Sequence, residues 1–155
     1  MKISLIQVGK TQDKALEAFI LDYTKRIKRY VQFEVINLKE AKVHKNENKD
    51  IYRKKEAETL IEEISKHPFP IILDEKGHER NSVAFAKQCQ TWLDQHNHIS
   101  FIIGGAYGFH EDIYALNLPK IALSKMTFTH QWARLILVEQ IYRALSILNN
   151  QAYHH

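Results

Sequence analysis

Ile99-Ser100-Phe101-Ile102-Ile103-Gly104-Gly105-Ala106-Tyr107-Gly108 is the stretch on which the fold turns. Five residues, four of them large and apolar, run straight into a cluster of glycines, so the run is too short for a helix and reads as a buried strand. Working outward, a helical pattern precedes it, with Phe85, Cys89, Trp92 and Leu93 on one side and Asn81 or Ser82 as its N-cap. Before that, Ile71 to Leu73 is a short strand followed by the turn Asp74-Glu75-Lys76-Gly77. Downstream, Ile121 to Leu123 is a last strand, and residues 124–130 lead into a long apolar helix.

The first half repeats the alternation. Ile3 to Val8 is a strand, and Leu16, Phe19, Ile20, Tyr23 and Ile27 recur at three- and four-residue spacing as one helical stripe. Phe33 to Leu38 is a second strand. Residues 39–50 are polar throughout and are expected to form a mobile basic loop. The next helix presents Ala57, Leu60, Ile61 and Ile64, and Pro68 stops it near His67. Five strands interleaved with helices predict an α/β fold with a mainly parallel sheet, in a single domain over residues 1–155.

Composition narrows the function. The 22 Lys and Arg against 18 Asp and Glu give a net charge of only +4. Residues 23–55 alone hold 11 basic and 4 acidic side chains, whereas residues 69–155 balance, so one half presents the basic face expected of a polyanion's partner. A single cysteine, Cys89, excludes an internal disulfide and a four-cysteine zinc site. No apolar run approaches membrane-spanning length, and the expectation is a cytoplasmic protein with no membrane partner and no metal.

Ligands of open α/β sheets bind beyond the carboxyl ends of the strands. Gly104, Gly105 and Gly108 lie there, either as a structural turn or as a close approach to a ligand. Their GGxxG spacing lacks the dinucleotide fingerprint, and no P-loop or nucleophile elbow is present. The segment Leu123-Ser124-Lys125-Met126-Thr127-Phe128-Thr129-His130 places hydroxyls, a lysine and a histidine before the final helix, where they either cap it or serve a site. Within that helix Arg134, Glu139 and Arg143 are the charged groups on an apolar surface. Glu139 is expected to pair structurally, and the two arginines to contact phosphate or base. His96 and His98 read as solvated turn residues, and the closing Tyr153-His154-His155 as either a frayed end or a proton-handling tail.

IILDEKG (71–77), FIIGGAYGF (101–109), LSKMTFTHQWARLILVEQIYRALSI (123–147) and YHH (153–155), in this order and over the whole chain, resemble the bacterial 23S ribosomal RNA pseudouridine N3-methyltransferases, small members of the SPOUT class. The resemblance implies that the carboxyl-terminal part of the sheet is tied in a trefoil knot, that the chain is a homodimer packed through its knot regions, and that S-adenosylmethionine is the cofactor. Carried onto this sequence, the cofactor contacts are Leu73, Gly104, Leu123, Ser124, Lys125, Met126, Thr127 and Phe128. The implied substrate is 23S rRNA in the large subunit or assembled ribosome, methylated at N3 of a pseudouridine. His154, with Tyr153 beside it, is the candidate base or positioner, and Arg134 and Arg143 the candidate RNA contacts. Two other readings stand beside this one: a SPOUT enzyme acting on another RNA base, and a non-catalytic RNA-binding module.

Overall fold

The computed structural model describes residues 1–42, 48–151 and 153. The chain runs β1 (Lys2–Val8), α1 (Lys14–Ile27), β2 (Gln32–Leu38), α2 (Lys49–Ile64), β3 (Pro70–Glu79), α3 (Ser82–His96), β4 (His98–Ile103), α4 (Glu111–Ala115), β5 (Lys120–Ala122) and α5 (His130–Leu148). The strands form one sheet in the order β2-β1-β4-β3-β5, and every pairing is parallel. The α/β expectation holds, and the alternation of strand and helix explains it, because parallel neighbours need a crossover.

Helix starts follow local chemistry. Asp13 accepts from the Ala15 and Leu16 amides at α1, and Asn81 accepts from Ala84 at α3, so the N-cap reading of Asn81 is correct. Asn97 closes α3 in the left-handed region at φ 57°, which turns the chain directly into β4.

Both faces of the sheet are covered, which is why β1 and β4 are apolar almost without alternation. On one face Ile3, Leu5, Phe101 and Ile103 pack with α1, α3 and α5; on the other Ile6, Ile72 and Ile102 pack with α2 and α4. In α1 only Leu16, Ile20 and Ile27 are buried, and Phe19 is 58% exposed, so the expected stripe is narrower than its spacing suggested. Helix α5 packs against α1 and α3 and leaves Trp132 52% exposed. None of the helices among the described residues is long and apolar enough to cross a membrane. The centre of the expected basic loop, residues 43–47, lies outside the described residues, and α2 begins on the Asn48 cap.

Two features depart from expectation. The turn at 74–77 is a bulge inside a longer β3: Leu73 and His78 both oppose Ile121 on β5, and the strand resumes at His78. His96 is exposed as expected, whereas His98 is half-buried and not simply solvated. His96 stacks on Phe69 at 3.9 Å, while His98 lies 2.9 Å from Ser4 Oγ, which donates to Glu34.

Burial, and then the charges of Lys2 and His67, hold His98 below the ordinary histidine value, with Glu34 opposing. The folded state therefore binds this proton less readily than the unfolded chain. The associated stability is complete above about pH 6.5 and is lost as pH falls through the lowered folded value. Thermal unfolding between pH 7.5 and 5 should show a falling midpoint, and His98→Asn should flatten that slope; an identical slope in the variant would remove His98 as its source.

Candidate active site

The carboxyl ends of β3, β4 and β5 open onto one cavity of about 750 Å³. Its walls come from three loops: residues 73–76 of the β3 bulge, residues 103–109 after β4, and residues 123, 124 and 126–129 between β5 and α5, with Tyr114 and the first turn of α5 (His130, Gln131 and Ala133) beside them. The size is that of a small-molecule site, and the position is where open parallel sheets hold ligands.

Each loop is shaped by a specific contact. Gly77 presses against the Ile121 backbone, where an added Cβ would lie 2.4 Å from the carbonyl carbon, and this contact sets the bulge against β5. Gly104 leaves room for the Phe109 ring, which a Cβ would meet at 3.1 Å. Gly108 adopts φ +74° and donates to Gly105 O at 3.3 Å, closing the turn. In the third loop, Ser124 Oγ accepts from the Met126 amide and Thr127 Oγ1 donates to Glu75 Oε2 at 3.1 Å. Thr129 is the N-cap residue of α5 but makes no side-chain capping bond, so these hydroxyls shape the loop and do not cap the helix.

Of the expected cofactor residues, Leu73, Gly104, Leu123, Ser124, Met126, Thr127 and Phe128 border the cavity, and Lys125 does not. Asp74, Glu75 and Lys76, which the sequence assigned to a turn, join them, as does Tyr114. Asp74 accepts from the Tyr114 hydroxyl at 2.5 Å, which fixes the carboxylate, and Lys76 and Lys120 lie 5.6 and 5.5 Å from the Tyr114 ring. His130, the first residue of α5, also lines the cavity, and burial and then Arg134 hold its pKa below the ordinary histidine value, with Glu40 opposing. The signal for Asp74 was positional, since it follows the apolar run 71–73, whereas His130 belongs to the segment already read as capping α5 or serving a site.

The tail side is a separate cluster. Arg143 bonds Glu139 Oε1 through Nε at 3.0 Å and Nη2 at 2.6 Å, and its guanidinium lies 4.9 Å from the Tyr153 ring. Tyr153 shares a 2.9 Å hydrogen bond with Tyr23 and packs edge-on against Tyr142. Glu139 thus pairs as expected, and Arg143 is its partner. From His130 to Arg143 along α5 is about 20 Å at the helical rise, so this cluster stands apart from the cavity of its own chain. His154 lies outside the described residues.

Arg134 is the clear correction. It is 0% exposed and donates to the Val8 carbonyl and to Thr11 Oγ1, so its guanidinium braces α5 against the end of β1 and does not reach a phosphate. The sequence offered one distinction, since Arg143 has Glu139 four residues before it and Arg134 has no carboxylate at helical spacing, but the burial of Arg134 is decided by β1.

A cavity enclosed by the three loops beyond β3, β4 and β5 is the arrangement against which relatives can be compared. The family model described as "Predicted SPOUT methyltransferase" matches residues 1–154. The chain belongs to the SPOUT methyltransferase family. Similar proteins share its whole length. Ribosomal RNA large subunit methyltransferase H of Flavobacterium psychrophilum is 42% identical over 156 residues, covering 100% of this chain and 99% of that protein. The proteins of the same name from Christiangramia forsetii and Parabacteroides distasonis are 40% and 41% identical at the same coverage. A crystal structure of a protein described only as hypothetical matches with a TM-score of 0.55 at 13% identity, covering 95% of this chain and 68% of the other, and it supports the fold alone. Within the SPOUT family the chain is a methyltransferase.

Proposed function

We propose that this chain transfers a methyl group from S-adenosylmethionine to N3 of a pseudouridine in 23S ribosomal RNA, acting on the large subunit or the assembled ribosome. The observation that carries this reading is the three-loop cavity, in a chain that matches large-subunit rRNA methyltransferases end to end. The walls suit this donor. Gly104, with the Phe109 ring packed against it, and the half-buried Leu73 and Leu123 offer apolar sides. The carboxylates of Asp74 and Glu75 favour a cation nearby. When bound, the cofactor supplies an electrophilic methyl group on its sulfonium.

The protein's own task is then alignment and proton removal. Placing a nucleophile in line with a bound methyl group replaces an encounter with a fixed geometry, and such orientation supplies most of the acceleration. His154 is our candidate for the group that takes or orients the N3 proton. His154→Ala is expected to lower the single-turnover rate by about 100-fold with cofactor affinity retained. A normal rate would dismiss His154 and direct attention to His130 at the cavity rim.

The tail cluster stands about 20 Å along α5 from its own cavity, which favours a second copy of the chain bringing Tyr153 and His154 to the site. The uncovered side chains of Met126, Phe128 and Trp132 beside the cavity provide apolar surface for that homodimer, with the crossing segments 123–129 tied as a trefoil knot. Sedimentation should report a dimer mass; a monomer at working concentration would exclude supply of the tail from a partner.

The test of the function is direct. Purified protein, S-adenosylmethionine carrying a labelled methyl group, and ribosomes from a strain lacking the enzyme should yield one methylated pseudouridine in 23S rRNA by mass spectrometry. Label on transfer RNA or on another base would support the alternative SPOUT substrate, and no cofactor binding at all would leave an RNA-binding module.

A further inference from the structure

Glu56 is the one Asp or Glu among the described residues that is fully enclosed, at 3% exposure, and it plays no part in the chemistry above. It lies on α2, on the face of the sheet opposite α5, and no Lys or Arg pairs with it among the described residues. Its Oε1 has no hydrogen-bond partner among the described residues, an expensive condition for a buried carboxyl. Burial, seconded by Glu40, raises its pKa above the ordinary carboxylate value, while the Tyr52 hydroxyl and the Gly105 amide act against that rise.

What Glu56 touches gives the cost a purpose. A Cβ on Gly105 would lie 2.4 Å from Oε1 and 2.6 Å from Oε2, so the carboxyl occupies the space that any other residue at 105 would need. Gly105 has no positive φ, and its being glycine is therefore explained by this close approach and not by backbone conformation. Gly105 O in turn accepts from Gly108, so the turn that walls the cavity is seated on this one carboxyl. Tyr52 packs edge-on against Tyr107 of the same loop at 5.3 Å, a second contact between α2 and the turn.

We propose that Glu56 is a positioning residue for methyl transfer: from behind the cavity it seats Gly105, and through Gly105 it holds the glycine loop in its cofactor-binding shape. This rests on reading the cavity as the site of S-adenosylmethionine. The group acts through the loop and touches neither methyl donor nor RNA.

The experiment is a double-mutant cycle read by calorimetric titration of S-adenosylmethionine, with circular dichroism spectra confirming that each variant is folded. Gly105→Ala should weaken binding by at least tenfold, because the new methyl group meets the carboxyl. Glu56→Ala should weaken it several-fold, because the loop loses its seat. The double variant should bind more tightly than Gly105→Ala alone, since deleting the carboxyl clears the collision. Glu56→Gln keeps the shape and the acceptor, and should bind at least fivefold more tightly than Glu56→Ala. Additive losses in the double variant, or a Glu56→Gln no better than Glu56→Ala, would overturn the proposal. Wild-type protein that fails to bind the cofactor would instead overturn the reading of the cavity.

Discussion

Gly77→Ala is expected to cost the fold about 3 kcal/mol and to abolish cofactor binding. A Cβ there would stand 2.4 Å from the Ile121 carbonyl carbon and 2.7 Å from both its nitrogen and its oxygen. These are backbone atoms, so no side-chain rotation relieves the contact. Either β3 or β5 must shift, and β5 is the weaker partner. It is three residues long, sits at the sheet edge and has only β3 as a neighbour. Residues 123–128 leave directly from β5 and form one wall of the cavity, so a displaced β5 opens the site. Urea unfolding and calorimetry on the same preparation check both parts. A variant that keeps its unfolding midpoint would mean that the β3 bulge is not held by this contact.

Arg134→Ala comes next, with an expected loss of about 3 kcal/mol. The side chain is among the largest fully buried ones, and its removal leaves a hole together with a Val8 carbonyl that has lost its donor. No carboxylate pairs with it among the described residues; burial lowers its pKa, and only Glu40 acts in the other direction. Arg134→Met should lose less than Arg134→Ala, because the volume is kept while the donors are not. The alternative role is separable in the same experiment. An arginine that contacted RNA would give a variant of normal stability with weaker ribosome binding and a smaller salt dependence.

Both predictions concern places where local sequence was read correctly and tertiary contact changed the meaning. Asp74 to Gly77 carry the composition of a turn, and the chain does bulge there. It bulges inside a strand, because β5 arrives from 44 residues downstream of Gly77 to pair on both sides of the bulge at Ile121. Glycine at 105 is equally ambiguous alone, since flexibility and close approach select the same residue, and the carboxyl that decides between them lies on α2. His98 looked solvated for a similar reason: its partners, Ser4 and Glu34, are contributed by β1 and β2.

The sequence by itself determined the class of architecture, five strands crossed by helices in a parallel sheet, because hydrophobic period and punctuation by glycine, proline and capping residues act within a few neighbours. Its motifs, read as an ordered set, also specified the SPOUT family and the three loops that make the cavity. Only the tertiary structure decided what each polar side chain is for. Arg134 and Arg143 occupy the same helix nine positions apart; one is sealed against Val8, the other is bound to Glu139 under the Tyr153 ring. The partner of Arg143 is its neighbour four residues back along the helix, whereas the desolvation of Arg134 is set by what packs across from it and not by its neighbours along the chain.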